Sequence, residues 1–459
     1  MELRTSDVAR VTGGRAEGPD VTVDGAAIDS RSVGGRELFV PIVAERDGHD
    51  FVPAAVAGGA PAYLTHRGPL PGAQATAVTV ADTTAAFEAL ARHARSLLPD
   101  RVVGVTGSVG KTSVKDLLAA VLAERWRTSA SVRSFNNELG VPLTLLNAPT
   151  GTEALVVEMG ARGVGHVKAL CDLAAPTVGV VTRVAAVHTE LFGTIDDVAR
   201  AKGELVEALP TTGVAVLNAD DPRVAAMANR TPARVLTFGL EPAGGRRAGA
   251  ARPAGSPGAA APADVRAEVV RLDGDLRPRF RLVTPDGTAE VSLEVRGIHM
   301  VGNALAAAAA ALACDVAVDA VAAGLAAARL SPWRMELGVL PSGARVLNDA
   351  YNANPTSMAA ALRALAALPG RRRVAVLGVM AELGPAAAQE HKAVGALARD
   401  LGIEIVAVGT GDYGGAVVAG DEPAAVAAAL GPLSDGDVVL LKGSRVAGLE
   451  RVAALLAGD

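Results

Sequence analysis

A lysine and a threonine close a glycine-studded stretch, Gly104-Val105-Thr106-Gly107-Ser108-Val109-Gly110-Lys111-Thr112-Ser113. These residue types suit a polyphosphate. Glycines let backbone N–H groups approach phosphate oxygens, and a helix opening at Lys-Thr adds the partial positive charge of its N-terminus. Lys111 would reach the terminal phosphates, and Thr112 would place a hydroxyl on Mg²⁺. The spacing is the short Gly-x-x-Gly-Lys-Thr form. A hard cation on a triphosphate needs further oxygen ligands. Glu158 ends the apolar run Ala154-Leu155-Val156-Val157, and a carboxylate ending a buried strand needs a partner. Taken alone it also admits a reading as a cap or loop carboxylate, the weaker of the two. His188 follows the next apolar run; by itself it would be a structural histidine, and it joins Glu158 only through its place after a strand. Lys202, in Val198-Ala199-Arg200-Ala201-Lys202-Gly203-Glu204-Leu205, reads on pattern alone as a solvated helix lysine.

Positioning such residues requires strands that deliver loops to one edge. Residues 102–106 read as a strand running into the glycine turn. The helix after it carries Val114, Leu117, Leu118, Val121 and Leu122 at the i, i+3, i+4, i+7, i+8 spacing of a core-facing stripe. Further strands are expected at 154–157, 178–182 and 214–218, and the alternation of strand and helix predicts a wound α/β sheet. Before this unit, residues 37–40 and 75–80 read as short strands and 85–97 as a helix that stops at Leu98-Pro99-Asp100, the first boundary. Beyond Ser331-Pro332, apolar runs at 373–377, 403–408 and 438–441 lie between Ala-rich helices and predict a second nucleotide-binding-like α/β unit. Residues 240–265 form a Gly/Ala/Pro/Arg tract without periodicity and read as a surface insertion.

Composition narrows the function classes. With 459 residues, length alone predicts about three domains. Half of the residues are hydrophobic and mean hydropathy is +0.31, which excludes a disordered chain. A net charge of −5 and 3% aromatic residues argue against a nucleic-acid partner. The two cysteines, Cys171 and Cys314, indicate a reducing compartment. The N-terminus has no signal-peptide core, and the longest apolar run, 304–314, is too short for a bilayer. A cytoplasmic protein without membrane insertion is expected.

Taken together, the motifs resemble those of the Mur ligases, the ATP-dependent amide-forming enzymes of peptidoglycan precursor assembly, over nearly the whole length. Gly107-x-x-Gly110-Lys111-Thr112, the Glu158 strand end and the His188 segment carry the family likeness. Asp29-Ser30-Arg31, Ser134-Phe135-Asn136-Asn137-Glu138-Leu139-Gly140-Val141-Pro142, Asn348-Asp349-Ala350-Tyr351-Asn352-Ala353-Asn354-Pro355, Leu377-Gly378-Val379-Met380-Ala381-Glu382-Leu383-Gly384 and Leu441-Lys442-Gly443-Ser444-Arg445 point to the branch whose amine substrate is D-alanyl-D-alanine.

The resemblance implies an α/β fold of three domains. These would be a UDP-substrate domain at 1–97, a central P-loop ATPase domain at 98–328 and a C-terminal Rossmann-like domain at 329–459. It puts Gly107, Ser108, Val109, Gly110, Lys111, Thr112, Ser113, Asn303, Arg334, Asp349 and Tyr351 at ATP; on local pattern, Asn303 also reads as a helix N-cap. Ser30, Arg31, Asn136, Asn137 and Arg162 would meet the UDP-N-acetylmuramoyl-tripeptide, and Asn354, Ser357, Met380 and Glu382 the dipeptide. Lys111, Glu158, His188 and Lys202 would be catalytic. Thr112, Glu158, His188 and Lys202 would serve Mg²⁺, the lysine as a carbamate that turns a cation into an anion. The resemblance also implies a monomer. Within the family, a diaminopimelate-adding enzyme usually carries Asp-Asn-Pro-Arg, which is absent here, and a folylpolyglutamate synthetase is the other close alternative. A non-catalytic scaffold would have been favoured by loss of Lys111, Glu158 or His188, and all three are present.

Overall fold

Val102–Thr106, the strand that feeds the glycine turn, lies inside a nine-stranded sheet between Ala154–Glu158 and Val178–Val181. The computed structural model describes residues 1–185, 192–240 and 262–458. Across this sheet the order is Gly287–Ser292, Pro278–Thr284, Val265–Leu272, Arg234–Gly239, Val214–Asn218, Val178–Val181, Val102–Thr106, Ala154–Glu158, Thr128–Ala130. The strands from Thr128–Ala130 through Val265–Leu272 are parallel. Every residue of Val102–Thr106 and Ala154–Glu158 is buried, which is why these strands read as unbroken apolar runs rather than alternations.

The helix Lys111–Ala123 buries the predicted stripe, Val114, Leu117, Leu118, Val121 and Leu122, in one core with Ala304–Ala311 of the helix His299–Leu312. Burial of each large aliphatic side chain there contributes about 1.5–3 kcal/mol relative to exposure. The sheet continues beyond the expected parallel strands as an antiparallel meander, Val265–Leu272, Pro278–Thr284 and Gly287–Ser292. In Pro278–Thr284 the inward residues alternate with outward ones, the period-2 signature of a strand buried on one face. The tract read as an insertion at 240–265 therefore extends too far. Ala263 and Val265 are buried and Val265 begins a strand, while 241–261 lie outside the described residues.

The six-stranded sheet follows the order Glu336–Val339, Arg345–Asn348, Asp437–Lys442, Arg372–Gly378, Glu404–Val408, Val417–Ala419, parallel except at the first pair. Arg345–Asn348, Asp437–Lys442 and Arg372–Gly378 are neighbours, so the loops after Asn348, Lys442 and Gly378 emerge side by side. The expected strands at 373–377, 403–408 and 438–441 are present with ends shifted by a residue or so.

A five-stranded sheet, Arg15–Glu17, Thr76–Thr79, Ala62–Thr65, Leu38–Phe39, Ala26–Ala27, forms the N-terminal part. The helix Thr83–Leu97 shares a buried core with Leu38, Ala62, Leu64 and Val78 of this sheet. Asp82 caps that helix by accepting from the Thr84 and Ala85 N–H groups, at 2.7 and 3.0 Å. Its buried side chains Phe87, Leu90 and Ala94 share a core with Leu143, Leu145, Leu155 and Val157. The Asn147 side chain accepts from Ala26 N–H and donates to Ala26 C=O, at 2.7 and 3.0 Å. The N-terminal sheet is thus joined to the nine-stranded one by apolar burial and paired hydrogen bonds. Among the described residues, no helix is long and apolar enough to cross a membrane.

Candidate active site

The chain leaves Thr106 through Gly107, whose φ of +143° belongs to glycine. A Cβ at Gly107 would stand 2.0 Å from Thr182 Oγ1, and one at Gly110 (φ +89°) 2.6 Å from Asn303 Oδ1. Backbone angle requires glycine at both, and at Gly107 the Arg183 backbone N and O, 3.1 and 3.2 Å from such a Cβ, add close approach. Thr182 Oγ1 donates to Val109 C=O at 2.6 Å and Ser108 N–H donates to Arg183 C=O at 2.7 Å, so the neighbouring strand end moulds the loop. Gly110 then opens the helix Lys111–Ala123, with Thr112 and Ser113 buried in its first turn. Lys111 Nζ folds back onto Gly107 C=O at 2.8 Å. Burial lowers the Lys111 pKa, Glu158 works against the shift and Arg334 adds to it.

Glu158 ends its strand only 1% exposed. Asn136 Nδ2 donates to its Oε1 at 2.7 Å, and Ser131 Oγ accepts from its N–H at 3.1 Å. Its other oxygen, Oε2, is buried and has no hydrogen-bond partner among the described residues. A buried carboxylate oxygen without a donor is costly in a folded protein unless a cation meets it. The orphaned oxygen, on a residue that lines the same cavity as the phosphate-type loop and Thr112, fits a divalent cation of the Mg²⁺ type.

Lys202 corrects the solvated-helix reading. The helix Ile195–Glu207 presents it inward, only 2% exposed. Burial, then the charge of Lys111, push its pKa down to about 7, against the pull of Glu204 and Glu158. Thr194 and Asp197 form a capping box at the start of this helix. Two residues after the lysine, Glu204 accepts from Gly165 N–H at 2.5 Å and Lys168 N–H at 2.9 Å, fixing the helix against the start of His166–Ala174. His188 lies outside the described residues.

A cavity of about 1210 Å³ joins these groups to the C-terminal sheet. It is lined by the loop from Gly107 to Ser113, with Asn136, Asn137, Glu158, Arg162, Lys202, Asn303, Arg334, Asp349, Tyr351, Asn354, Ser357 and Glu382. Asn303 is the fifth residue of His299–Leu312, which excludes the N-cap alternative. The Arg334 guanidinium lies over the Tyr351 ring, 4.2 Å from its centroid, and Tyr351 OH makes a short hydrogen bond to Ser134 across the sheets. Asn137 Oδ1 accepts from Gly140 N–H at 2.9 Å, setting the start of Gly140–Leu146.

Several of the expected site residues have partners or positions of their own within the chain. Asn136 spends its amide on Glu158, which makes it a support of that carboxylate. Asn354 and Ser357 form the capping box of Pro355–Ala367, so much of their hydrogen-bonding capacity is used within the chain. The Met380 side chain is 1% exposed and does not line the cavity; its N–H donates to His391 Nε2 at 2.9 Å. Ser30 and Arg31 are also absent from the lining, and Arg31 is exposed and paired with Asp29 at 2.7 Å.

Lys442, within Leu441-Lys442-Gly443-Ser444-Arg445, has a role that the motif alone does not reveal. This buried lysine reaches Asp349 Oδ2 at 2.5 Å and Asn352 C=O at 2.9 Å, holding the loop that carries Tyr351. A lysine ending a buried strand was the available signal. His299, half-buried near this pair and lining the cavity, has its pKa lowered by burial, with Asp349 opposing and Lys442 adding to the shift.

Residues 105–311 match the Mur ligase middle domain, and residues 333–445 match the Mur ligase glutamate ligase domain. A Mycobacterium tuberculosis protein named UDP-N-acetylmuramoyl-tripeptide–D-alanyl-D-alanine ligase is 39% identical over 522 aligned residues, covering 100% of this chain and 98% of the relative. The chain belongs to the Mur ligase family. Among solved Mur ligases, MurF from Acinetobacter baumannii is 28% identical, with a TM-score of 0.83 over 100% of this chain and 99% of that one. MurF from Thermotoga maritima, solved in complex with ADP, is 26% identical, with a TM-score of 0.78 over 95% and 97%. The three-domain Mur ligase architecture with its central ATP-binding unit accounts for the sheets described above.

Proposed function

We propose that this Mur ligase joins D-alanyl-D-alanine to UDP-N-acetylmuramoyl-tripeptide at the expense of ATP, through an acyl phosphate. The observation that carries this reading is the cavity itself. One wall is a phosphate loop with a half-buried lysine and a half-satisfied carboxylate, and the other is a set of strand-end loops from the C-terminal sheet. The relatives' names supply the substrates. We assign 1–97 to the UDP end of the substrate, 98–328 to ATP and 329–459 to the dipeptide.

In the first step an oxygen of the tripeptide's terminal carboxylate attacks the γ-phosphorus and ADP leaves. Lys111 neutralises charge on the transferring group, the loop N–H groups bind its neighbours, and Asn303, Arg334, Asp349 and Tyr351 hold the nucleotide. In the second step the dipeptide amine attacks the acyl carbon, the C–O bond to phosphate breaks, and phosphate departs as the amide forms. No covalent enzyme intermediate is needed. The work is orientation and charge neutralisation in a water-poor site.

Thr112, Glu158 and Lys202 would hold Mg²⁺, with His188 as a further candidate; the ion supplies charge neutralisation for the polyphosphate. Lys202 acts as its carbamate. With a pKa of about 7, a large fraction of its amine is neutral near pH 7, and the neutral amine is the form that adds to CO₂. The carbamate replaces a cation that Lys111 repels by an anion that Lys111 and Mg²⁺ attract.

Competition tests the assignment. D-Ala-D-Ala, diaminopimelate, D-alanine and glutamate are offered together with ATP and one UDP-tripeptide, and products are read by mass. The dipeptide adduct should dominate; preferential joining of a single amino acid would overturn the substrate assignment.

A further inference from the structure

Resting on that reading of the dipeptide wall, we propose that Arg445 binds the C-terminal carboxylate of the dipeptide and sets the preference for a free-acid amine donor. A dipeptide that attacks through its amine carries its negative charge at the other end, and enclosing that carboxylate requires a donor with positive charge. Asn354 and Ser357 are poorly placed to be its sole receivers, because each uses its oxygen to cap Pro355–Ala367.

Three cations of the C-terminal part line the cavity: Arg334, Lys442 and Arg445. Lys442 points its ammonium at Asp349 and Asn352. Arg334 lies over Tyr351, close enough to Lys111 to affect its titration, which puts it on the nucleotide side. Arg445 differs from both. Its Nη1 meets Glu450 Oε1 at 2.9 Å and its Cζ lies 4.5 Å from the Trp333 ring centroid, so the guanidinium is oriented from two sides. The side chain is still 53% exposed, and the pairing with Glu450 leaves further N–H donors of the fork for a second carboxylate.

The loop that carries Arg445 is built into the dipeptide wall. Ser444 N–H donates to Val379 C=O at 2.9 Å, and Ser444 Oγ accepts from Ala381 N–H at 2.9 Å, so residues 379–381 and 444–446 form one surface. Val446, 78% exposed and also lining the cavity, offers an apolar contact of methyl size beside the guanidinium.

The test compares D-Ala-D-Ala with its C-terminal amide, D-Ala-D-alaninamide, as amine donors for the wild type, Arg445→Gln and Arg445→Lys. The wild type should prefer the free acid. Arg445→Gln should raise the KM for D-Ala-D-Ala by roughly 10- to 100-fold, the loss of a charge-assisted contact. The same change should leave the KM values for ATP and UDP-tripeptide in place and erase the preference for acid over amide. Those two unchanged constants show that the variant is folded. Arg445→Lys, which keeps the charge without the fork, should fall between. An Arg445→Gln enzyme that keeps the wild-type acid-to-amide ratio would overturn the Arg445 assignment while the ligase reading stands. A wild type that joins neither dipeptide would overturn both.

Discussion

Two clusters of ionisable side chains in this molecule are built on opposite plans. Beside the N-terminal sheet, Asp47, His49 and His66 bring potential metal-ligand atoms within 4.8 Å of one another, yet the side chains of Asp47 and His49 are already engaged. His49 Nδ1 meets Asp47 Oδ1 at 2.7 Å, His49 Nε2 accepts from His66 N–H at 3.2 Å, and Arg67 pairs with both Asp47 and Asp50. The contacts of Asp47 with His49 and Arg67 hold its carboxyl down at about 2. Around Glu158 the opposite holds: a carboxylate oxygen lacks a donor among the described residues, and two lysines have their pKa values lowered by burial. A closed cluster stabilises a fold, whereas an open one is stable only once a substrate, an ion or a modification completes it. The proposed chemistry is therefore assigned to the second cluster, although the first has the more familiar ligand types.

The contrast can be broken most sharply at Lys111. Lys111→Ala should lower kcat by ~10²-fold or more with the fold intact, because a cation facing developing phosphate charge is lost. ADP release at near-wild-type rate in the full reaction would remove its role.

Lys202 comes next. Lys202→Ala should lose most activity and regain part of it with added short carboxylic acids, and Lys202→Arg, cationic but unable to form a carbamate, should stay inactive. Activity in the arginine variant would return the residue to a purely structural role. The same lysine fixes a sign for stability. Its folded pKa of about 7 lies below the ordinary 10.5, so between those values the unfolded chain binds a proton that the folded chain does not. In CO₂-free buffer, stability should therefore rise with pH across that window. Lys202→Met should flatten the slope, as thermal denaturation at a series of pH values would report.

A smaller effect is expected at Asn136. Freed from its 2.7 Å bond, Glu158 would lose its fixed orientation, and Asn136→Ala should raise the Mg²⁺ concentration for half-activity about tenfold, the usual scale for a residue supporting a metal ligand. Mn²⁺ binding in the presence of ADP, followed by electron paramagnetic resonance, should weaken in parallel; unchanged binding would return Asn136 to substrate contact. The smallest effect on catalysis belongs to the closed cluster. His49→Ala should destabilise the fold by about 1–3 kcal/mol, the range for an unsatisfied buried hydrogen-bonding partner, and leave kcat alone. A loss of turnover at full stability would mean that this cluster also serves the reaction.

Local order was legible before any tertiary contact was known. The glycine loop, the strand leading into it and the stripe from Val114 to Leu122 are short-range patterns, and each is present as read. The parallel strands were legible for the same reason: buried on both faces, they appear as apolar runs. The meander from Val265 to Ser292 was not read as strands, because a strand buried on one face gives a weaker alternation and this one follows an irregular tract.

The sequence alone determined the family, the phosphate loop and the residues able to meet a polyphosphate, since these depend on residue type at fixed spacing. Only the tertiary structure decided how those residues are used. Lys202 looks solvated along its helix and becomes buried because the helix lies against the sheet beside Lys111. Asn136 and Glu158 are 22 positions apart and meet at 2.7 Å, while Asn354 and Ser357 turn toward their own backbone. Arg445 acquires its orientation from Trp333, more than a hundred positions earlier. Spacing encodes which groups a chain possesses. Desolvation and hydrogen-bond partnership, which set their charge and direction, arise from contacts between segments that are distant in sequence.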